Sequence, residues 1–234
     1  MINNNKVLTI IPARGGSKGI FGKNIIDFCG KPLIAWTIDE ALKSSYIDLV
    51  IVSTDDPLIA SVSEKYGAKV PFTRPKELAT DTATSSSVIL HALEWFSKNE
   101  KTEYPVFILL QPTSPLRNYK HIDEALEIFV KHPEAKSLVS VREVIDHPAW
   151  MKIINAGNFL ENYEKEDNYI TRRQDLPGLY MLNGAVYIMR SEDFRKDKTF
   201  FVPECFPYIM DEKTSIDIDS KLDLKLAEII KKEE

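Results

Sequence analysis

Apolar residues fall along the chain in two alternating patterns. Short unbroken runs, Val7 to Pro12, Leu49 to Ser53, Val106 to Leu110, Ser137 to Val141 and Val186 to Arg190, read as strands buried on both faces. Between them apolar residues recur at helical spacing. From about Pro32 to Lys43, the residues Leu33, Ile34, Ile38, Ala41 and Leu42 fall on one side of a helix. Pro57 to Tyr66 reads as a helix with proline in its first turn. Ser85 to Lys98 predicts another, with Val88, Leu90, His91, Leu93 and Trp95 available for packing. His121 to Lys131 and a closing helix to about Lys231 complete the set.

Strands and helices in alternation predict an α/β, Rossmann-like fold with a mostly parallel, doubly wound sheet. In such sheets ligands gather outside the carboxyl ends of the strands. The residues that follow each strand are therefore the ones to inspect. One stretch breaks the rhythm. From about Asp146 to Pro177 the chain is polar, aromatic and less periodic. It reads as a lobe or a dimerisation and sugar-site arm, drawn as 142–182, within a single domain spanning 1–234.

Composition narrows the function. The 234 residues are 44% hydrophobic and 28% charged, enough for a substantial core. The formal net charge is −5, with 30 Lys and Arg against 35 Asp and Glu. That lacks the broad basic field of a nucleic-acid binder, so any phosphate site must be a local basic pocket. No apolar run approaches the roughly 18 residues of a membrane span. The opening residues, Met1 to Lys6, carry no signal-peptide apolar region. No membrane association is expected, and the expected location is cytoplasmic. Cys29 and Cys205 form no paired motif, so no disulfide framework is expected.

Several loops carry chemistry. After the first strand comes Pro12-Ala13-Arg14-Gly15-Gly16-Ser17-Lys18-Gly19, with Lys23-Asn24 beyond. Its glycines let backbone N–H groups approach a phosphate. Arg14, Lys18 and Lys23 concentrate positive charge there, and Ser17 adds a hydroxyl donor. The spacing is that of neither a P-loop nor a dinucleotide fingerprint, and a solvated basic turn is the bland alternative. Arg74-Pro75 and Asp81-Thr82-Ala83, followed by Ser85, offer donors for a base edge. The bland alternative is an N-cap at Thr80 or Asp81. Gln111-Pro112-Thr113-Ser114-Pro115-Leu116-Arg117 is a loop stiffened by proline, whose Gln111 can both donate and accept. In Ile216-Asp217-Ile218-Asp219, strand alternation would turn both carboxylates to one face, roughly 7 Å apart. A solvated edge strand is the alternative. Asp55-Asp56 reads as capping or structural.

Taken together, the IPARGGSKG loop, the Arg74 and Asp81 to Ser85 region, QPTSPLR at 111–117, Arg173-Gln174 with Leu176-Pro177, Asn183 to Ile188, Phe200-Phe201 and Asp217-Ile218-Asp219 resemble the CMP-sialic acid synthetases (acylneuraminate cytidylyltransferases). The resemblance runs from about Val7 to Ala227. It implies a Mg²⁺-dependent cytidylyltransferase that joins CTP to an acidic nine-carbon sugar and releases pyrophosphate. The nucleotide would be held by Arg14, Gly15, Ser17, Lys18, Lys23, Asn24, Arg74, Ala83, Ser85 and Gln111. The sugar would meet Gln111, Arg173, Asn183, Tyr187, Phe200 and Phe201, with Arg173 on its carboxylate. Asp217 and Asp219 would carry Mg²⁺. Arg14, Lys18, Lys23 and Asp217 would be the catalytic group. The resemblance also implies a homodimer. Two positions depart from it: Trp150 stands where a lysine is often found, and Met181-Leu182 stands where a basic residue and proline are common. The sugar therefore stays open among sialic, legionaminic and pseudaminic acids. The rival readings are a nucleotide-sugar-dependent glycosyltransferase and a non-catalytic CTP-binding module.

Overall fold

A computed structural model describes residues 1–16, 19–163 and 176–233. In chain order the strands and helices are β1 (Val7–Pro12), β2 (Asp27–Phe28), β3 (Lys31–Pro32), α1 (Leu33–Lys43), β4 (Leu49–Ser53), α2 (Pro57–Lys65), α3 (Ser85–Trp95), β5 (Val106–Leu109), α4 (Tyr119–Lys131), β6 (Ser137–Glu143), β7 (Lys152–Ile154), β8 (Leu160–Asn162), β9 (Tyr180–Arg190), α5 (Ser191–Asp197), β10 (Cys205–Ile209) and α6 (Lys221–Glu233).

The runs that read as two-sided strands form a central sheet in the order β10-β6-β9-β5-β1-β4. Neighbours β1/β4, β1/β5 and β10/β6 pair in parallel. β9 runs antiparallel to both β5 and β6. The fold is thus the mostly parallel α/β sheet that the alternation predicts. Val7, Leu8, Ile10 and Ile11 of β1 are fully buried, because helices cover both faces. Side chains alternate between two core clusters, one holding Ile11, Ile34 and Ile108, the other Leu8, Ile10 and Phe107.

The helix starts have local causes. Asp56 caps α2 by accepting from the N–H groups of Leu58 and Ile59. Thr84 caps α3 through Ser87 N–H, so the cap is neither Thr80 nor Asp81. Asn118 and His121 form a reciprocal capping box on α4. Leu42, expected on the packed face of α1, is 49% exposed. α3 stops at Trp95 and gives way to a π-helical turn over Phe96–Glu100, short of the expected end at Lys98.

Two regions differ more. β9 begins at Tyr180, six residues before the expected strand. The arm drawn as 142–182 therefore lends both ends to the main sheet, where Arg142 pairs with Met181 and Glu143 with Tyr180. Its middle holds the separate β7–β8 hairpin. Ile216 to Asp219 is an irregular loop and not a strand. It is tied down by Ile218 N–H on the Thr113 carbonyl and by burial of the Ile218 side chain among Phe28, Leu33 and Leu116. No helix among the described residues is long and apolar enough to cross a membrane.

Candidate active site

Two cavities open at the edge of the sheet where β1, β5 and β6 end, and Gln111 lines both. The first, of about 440 Å³, is bounded by Arg14, Gly19, Lys23, Asn24, Arg74, Ala83, Ser85 and Asp219. The second, of about 720 Å³, is bounded by Arg142, Met181, Asn183, Gly184, Tyr187 and Asp217, among others. Most of the residues singled out from sequence therefore sit around one of two adjoining spaces.

The loop after β1 is held from beneath. Gly15 N–H donates to Asp55 Oδ1 at 3.1 Å, and buried Asn24 donates its Nδ2 to the Arg14 carbonyl at 3.0 Å. Arg14 reaches Asp81 across the first cavity at 2.7 Å. Lys23 Nζ donates to the Ile218 carbonyl and to Asp219 Oδ1, each at 3.0 Å. The basic loop and the acidic loop are thus bolted together. A Cβ on Gly19 would come within 2.5 Å of the Asp219 carbonyl oxygen, so only glycine permits that approach. Ser17 and Lys18 lie outside the described residues, as does Arg173.

Arg74 is 4% exposed and spends its donors on Ser53, Nε on the hydroxyl at 3.1 Å and Nη2 on the carbonyl. Burial pushes its pKa down to about 10, against the pull of Asp55. It forms a wall of the first cavity. Ala83, Thr84 and Ser85 line the opposite side at the start of α3.

The strand pair β6/β9 supplies the second cavity. Val139 faces Tyr187 and Val141 faces Leu182, so four residues of β9, Asn183 to Val186, stand opposite Ser140 alone. This bulge re-aims the strand toward the site. The Ser140 hydroxyl donates to Asn183 Oδ1 and accepts from Val186 N–H, replacing ladder bonds. Asn183 also donates to Ser215 Oγ at 2.9 Å and is 5% exposed. Asn183 lines the second cavity, and its side-chain amide is engaged in shaping the bulge. Gly184 takes φ +75, and a Cβ there would sit 3.1 Å from Gln111 Oε1. Gly184→Ala is expected to lower stability by about 1–2 kcal/mol, a fall in Tm of roughly 3–6 °C. Calorimetry checks this; an unchanged Tm would mean that the turn is not held as described.

Phe200 is displaced from its expected role. It is 6% exposed and packs in the core against Phe107, Phe194 and Tyr187. Phe201 is 58% exposed. Neither borders the second cavity. Tyr187 does, and burial raises its phenol pKa.

Asp217 and Asp219 do not share a strand face. Asp217 turns into the second cavity, and Asp219, at 76% side-chain exposure, borders the first. Burial raises the Asp217 pKa; the Thr113 hydroxyl opposes this and the charge of Asp219 adds to it. Asp217 Oδ1 is buried and has no hydrogen-bond partner. Sequence reasoning passed over Arg142, Glu212 and Asp223. Arg142 was findable, because it directly follows the predicted strand end at Val141.

A loop of glycines and basic residues and a second, acid-lined space thus lie side by side at the carboxyl edge of a mostly parallel α/β sheet, where ligands of such folds gather. The chain belongs to the cytidylyltransferase family, whose profile matches residues 8–229. It is 37% identical over 222 residues to an N-acylneuraminate cytidylyltransferase of Escherichia coli, covering 95% of this chain and 51% of that protein. It is 38% identical over 228 residues to a pseudaminic acid cytidylyltransferase of Campylobacter jejuni, covering 97% of each. With a CMP-N,N'-diacetyllegionaminic acid synthase of Legionella pneumophila it shares 37% identity over 225 residues, 95% of each chain. The chain spans about half the length of the Escherichia coli relative and nearly all of the other two. Its fold matches a CMP:2-keto-3-deoxy-manno-octonic acid synthetase solved with CTP, with a TM-score of 0.71 at 19% identity, covering 97% of this chain and 99% of that one.

Proposed function

We propose that this protein is a CMP-sugar synthetase that transfers CMP from CTP to the anomeric hydroxyl of a nonulosonic acid, with release of pyrophosphate. The observation that carries this reading is the shared wall. Gln111 lines both cavities, with Asp219 at the border of one and Asp217 in the other. That junction is where an acceptor hydroxyl in the second cavity would meet the α-phosphate of a nucleotide in the first. Relatives with nearly the same length act on pseudaminic and diacetyllegionaminic acids by name, which supports the acceptor class.

The chain's own work is positioning and charge neutralisation. Arg14 and Lys23 face the triphosphate, aided by Ser17 and Lys18. Arg14 exchanges Asp81 for phosphate oxygen when CTP arrives. Ala83 and Ser85 meet the nucleoside beside the wall made by Arg74. Gln111 orients the acceptor against the nucleotide. Arg173 is proposed for the acceptor's carboxylate.

The acidic loop fits Mg²⁺. The donors are all oxygen, one of them is a buried and unpartnered carboxylate atom, and a second carboxylate lies close by. Among the described residues no cluster of three or more metal-ligating side chains occurs. Mg²⁺ characteristically takes one or two carboxylates plus phosphates and waters, so two suffice. Asp217 and Asp219 would hold it, and when bound it would supply neutralising charge and Lewis acidity toward the acceptor hydroxyl.

We also propose a homodimer working in the cytoplasm. Exposed apolar side chains gather in the arm, where Ile154, Phe159 and Leu160 are each more than 70% exposed. A lone two-stranded hairpin is marginal by itself, so β7–β8 calls for cover. The reaction is tested by pyrophosphate release from CTP with a nonulosonic acid. Release should need Mg²⁺ and vanish with excess EDTA; release undiminished by EDTA would refute the metal assignment.

A further inference from the structure

The second cavity holds its charge unevenly. Asp146, Glu212, Asp217 and Asp223 line it against one guanidinium, Arg142, among the described residues. Arg142 is the next-to-last residue of β6 and stands opposite Met181 of β9. Its Nη1 makes only a 3.5 Å contact with the neighbouring Glu143 carbonyl, and it forms no ion pair among the described residues. A half-buried cation so weakly engaged is available to a ligand.

Its place in the sheet says which part of a ligand. β6 lies two strands from β5, with β9 between them. At about 4.8 Å per strand, the Arg142 backbone is roughly 10 Å from the strand that leads into Gln111. Gln111 and Asp217 mark the reacting end. In a nonulosonic acid the carboxylate is attached to the carbon that bears the reacting hydroxyl. The carboxylate therefore stays near Gln111, and Arg142 faces the far end of the sugar.

The surroundings of Arg142 select among the groups found there. Val144, Met151, Met181 and Leu182 give this cavity an apolar side, beside the carboxylates of Asp146 and Glu212. Hydroxyls of a polyol tail that rested on the thioether and alkyl groups there would lose water without recompense. A guanidinium only donates, so it takes an acceptor. An acylamido group offers a carbonyl acceptor beside an alkyl group, which matches a donor set in an apolar wall. Phe200, buried in the core, leaves this task to other residues. Met181 and Leu182 are also where the chain departs from the sialic-acid enzymes it resembles.

We propose that Arg142 is a specificity residue that donates to the carbonyl oxygen of an N-acyl substituent, whose alkyl part rests on Met151, Met181 and Leu182. This rests on the synthetase reading above. The test uses Arg142→Met and Arg142→Lys in the full chain. Pyrophosphate release is measured at saturating CTP with an N-acylated nonulosonic acid and with the same acid stripped of its acyl groups. Arg142→Met should raise KM for the N-acylated acid by about 10-fold or more, the loss of one charge-assisted hydrogen bond. The kcat and the KM for CTP should stay within about two-fold, while kcat/KM for the de-acylated acid, which carries an ammonium where the acyl group was, should hold or rise. Arg142→Lys should recover part of the loss. An equal loss on both acids would overturn the proposal in favour of a contact to the ring or carboxylate, and an unchanged KM would overturn it outright. If the unsubstituted protein uses no acid at all while still binding CTP, the synthetase reading falls and takes this role with it.

Discussion

Asp217→Asn is expected to lower kcat by about 100-fold or more while leaving CTP affinity within a few-fold. Asp217 lines the second cavity and not the first. Nucleotide contacts from Arg14 and Lys23 should survive the change. What is lost is a carboxylate at the junction, and with it the negative charge that would hold Mg²⁺. The same substitution should raise the Tm of the metal-free protein at pH 7. A carboxyl whose pKa is raised by folding binds its proton more tightly folded than unfolded. Its contribution is most favourable at low pH and is lost as pH rises through the folded value, so at neutral pH it is a net cost. Asparagine removes that buried charge at nearly constant volume. The stability gain of the variant should shrink as pH falls toward the ordinary carboxylate range. Calorimetry without metal and single-turnover kinetics with it check the two halves. Activity near that of the unsubstituted enzyme would remove Asp217 from the site, and a lower Tm would mean that its carboxylate is satisfied in the fold.

Arg117→Met carries the largest expected loss of stability, about 3 kcal/mol. Arg117 is 1% exposed. Its Nη1 donates to the carbonyls of Ala185 at 2.9 Å and Gln111 at 3.2 Å, and its Nη2 to the Thr37 hydroxyl at 2.8 Å. One side chain thus ties β9, the end of β5 and α1 together directly behind the junction of the cavities. Burial pushes the guanidinium pKa down to about 9, yet it stays charged at neutral pH. Methionine matches its length and apolar stem but donates nothing, which removes the Ala185 carbonyl's donor and leaves the Gln111 carbonyl to the Thr37 hydroxyl at 3.4 Å. Relief of the buried charge offsets part of that cost. At roughly 2–4 °C per kcal/mol for a domain of this size, Tm should fall by about 6–12 °C. Because the Gln111 carbonyl is released, KM for CTP should rise as well. A shift under about 2 °C would show that the clamp is dispensable.

Much of this architecture is legible in the chain because strands buried on both faces announce themselves as unbroken apolar runs. Val7–Pro12 and Leu49–Ser53 coincide with observed strands for that reason. β10 escaped notice because Cys205–Ile209 lies at the sheet edge, where half-exposed residues and a proline blur the signal. β9 was foreshortened because its first three residues are exposed. The phosphate loop and the Gln111 loop were readable as chemistry placed after strands. The acidic pair was found by residue type, but its strand geometry was not real, since Ile216–Asp219 has no partner strand and is held by Lys23 and Thr113. Asn183 and Phe200 were drawn to the sugar by resemblance. Only the three-dimensional partners Ser140, Ser215 and Phe107 show that Asn183 also shapes the bulge and that Phe200 packs in the core. The clamp at Arg117 is not legible, because a sequence does not show that three acceptors converge on it.

The measurement that bears most directly on the central claim pairs CTP, UTP, ATP and GTP in turn with N-acylated nonulosonic acids and with 2-keto-3-deoxy-manno-octonic acid, all with Mg²⁺. Pyrophosphate is quantified and the sugar product is weighed by mass spectrometry. The account predicts release with CTP and a nonulosonic acid, in equal amount to a product heavier by one CMP unit. Pyrophosphate-free transfer from a nucleotide sugar, or no product from any pair in folded protein that still binds CTP, would contradict it.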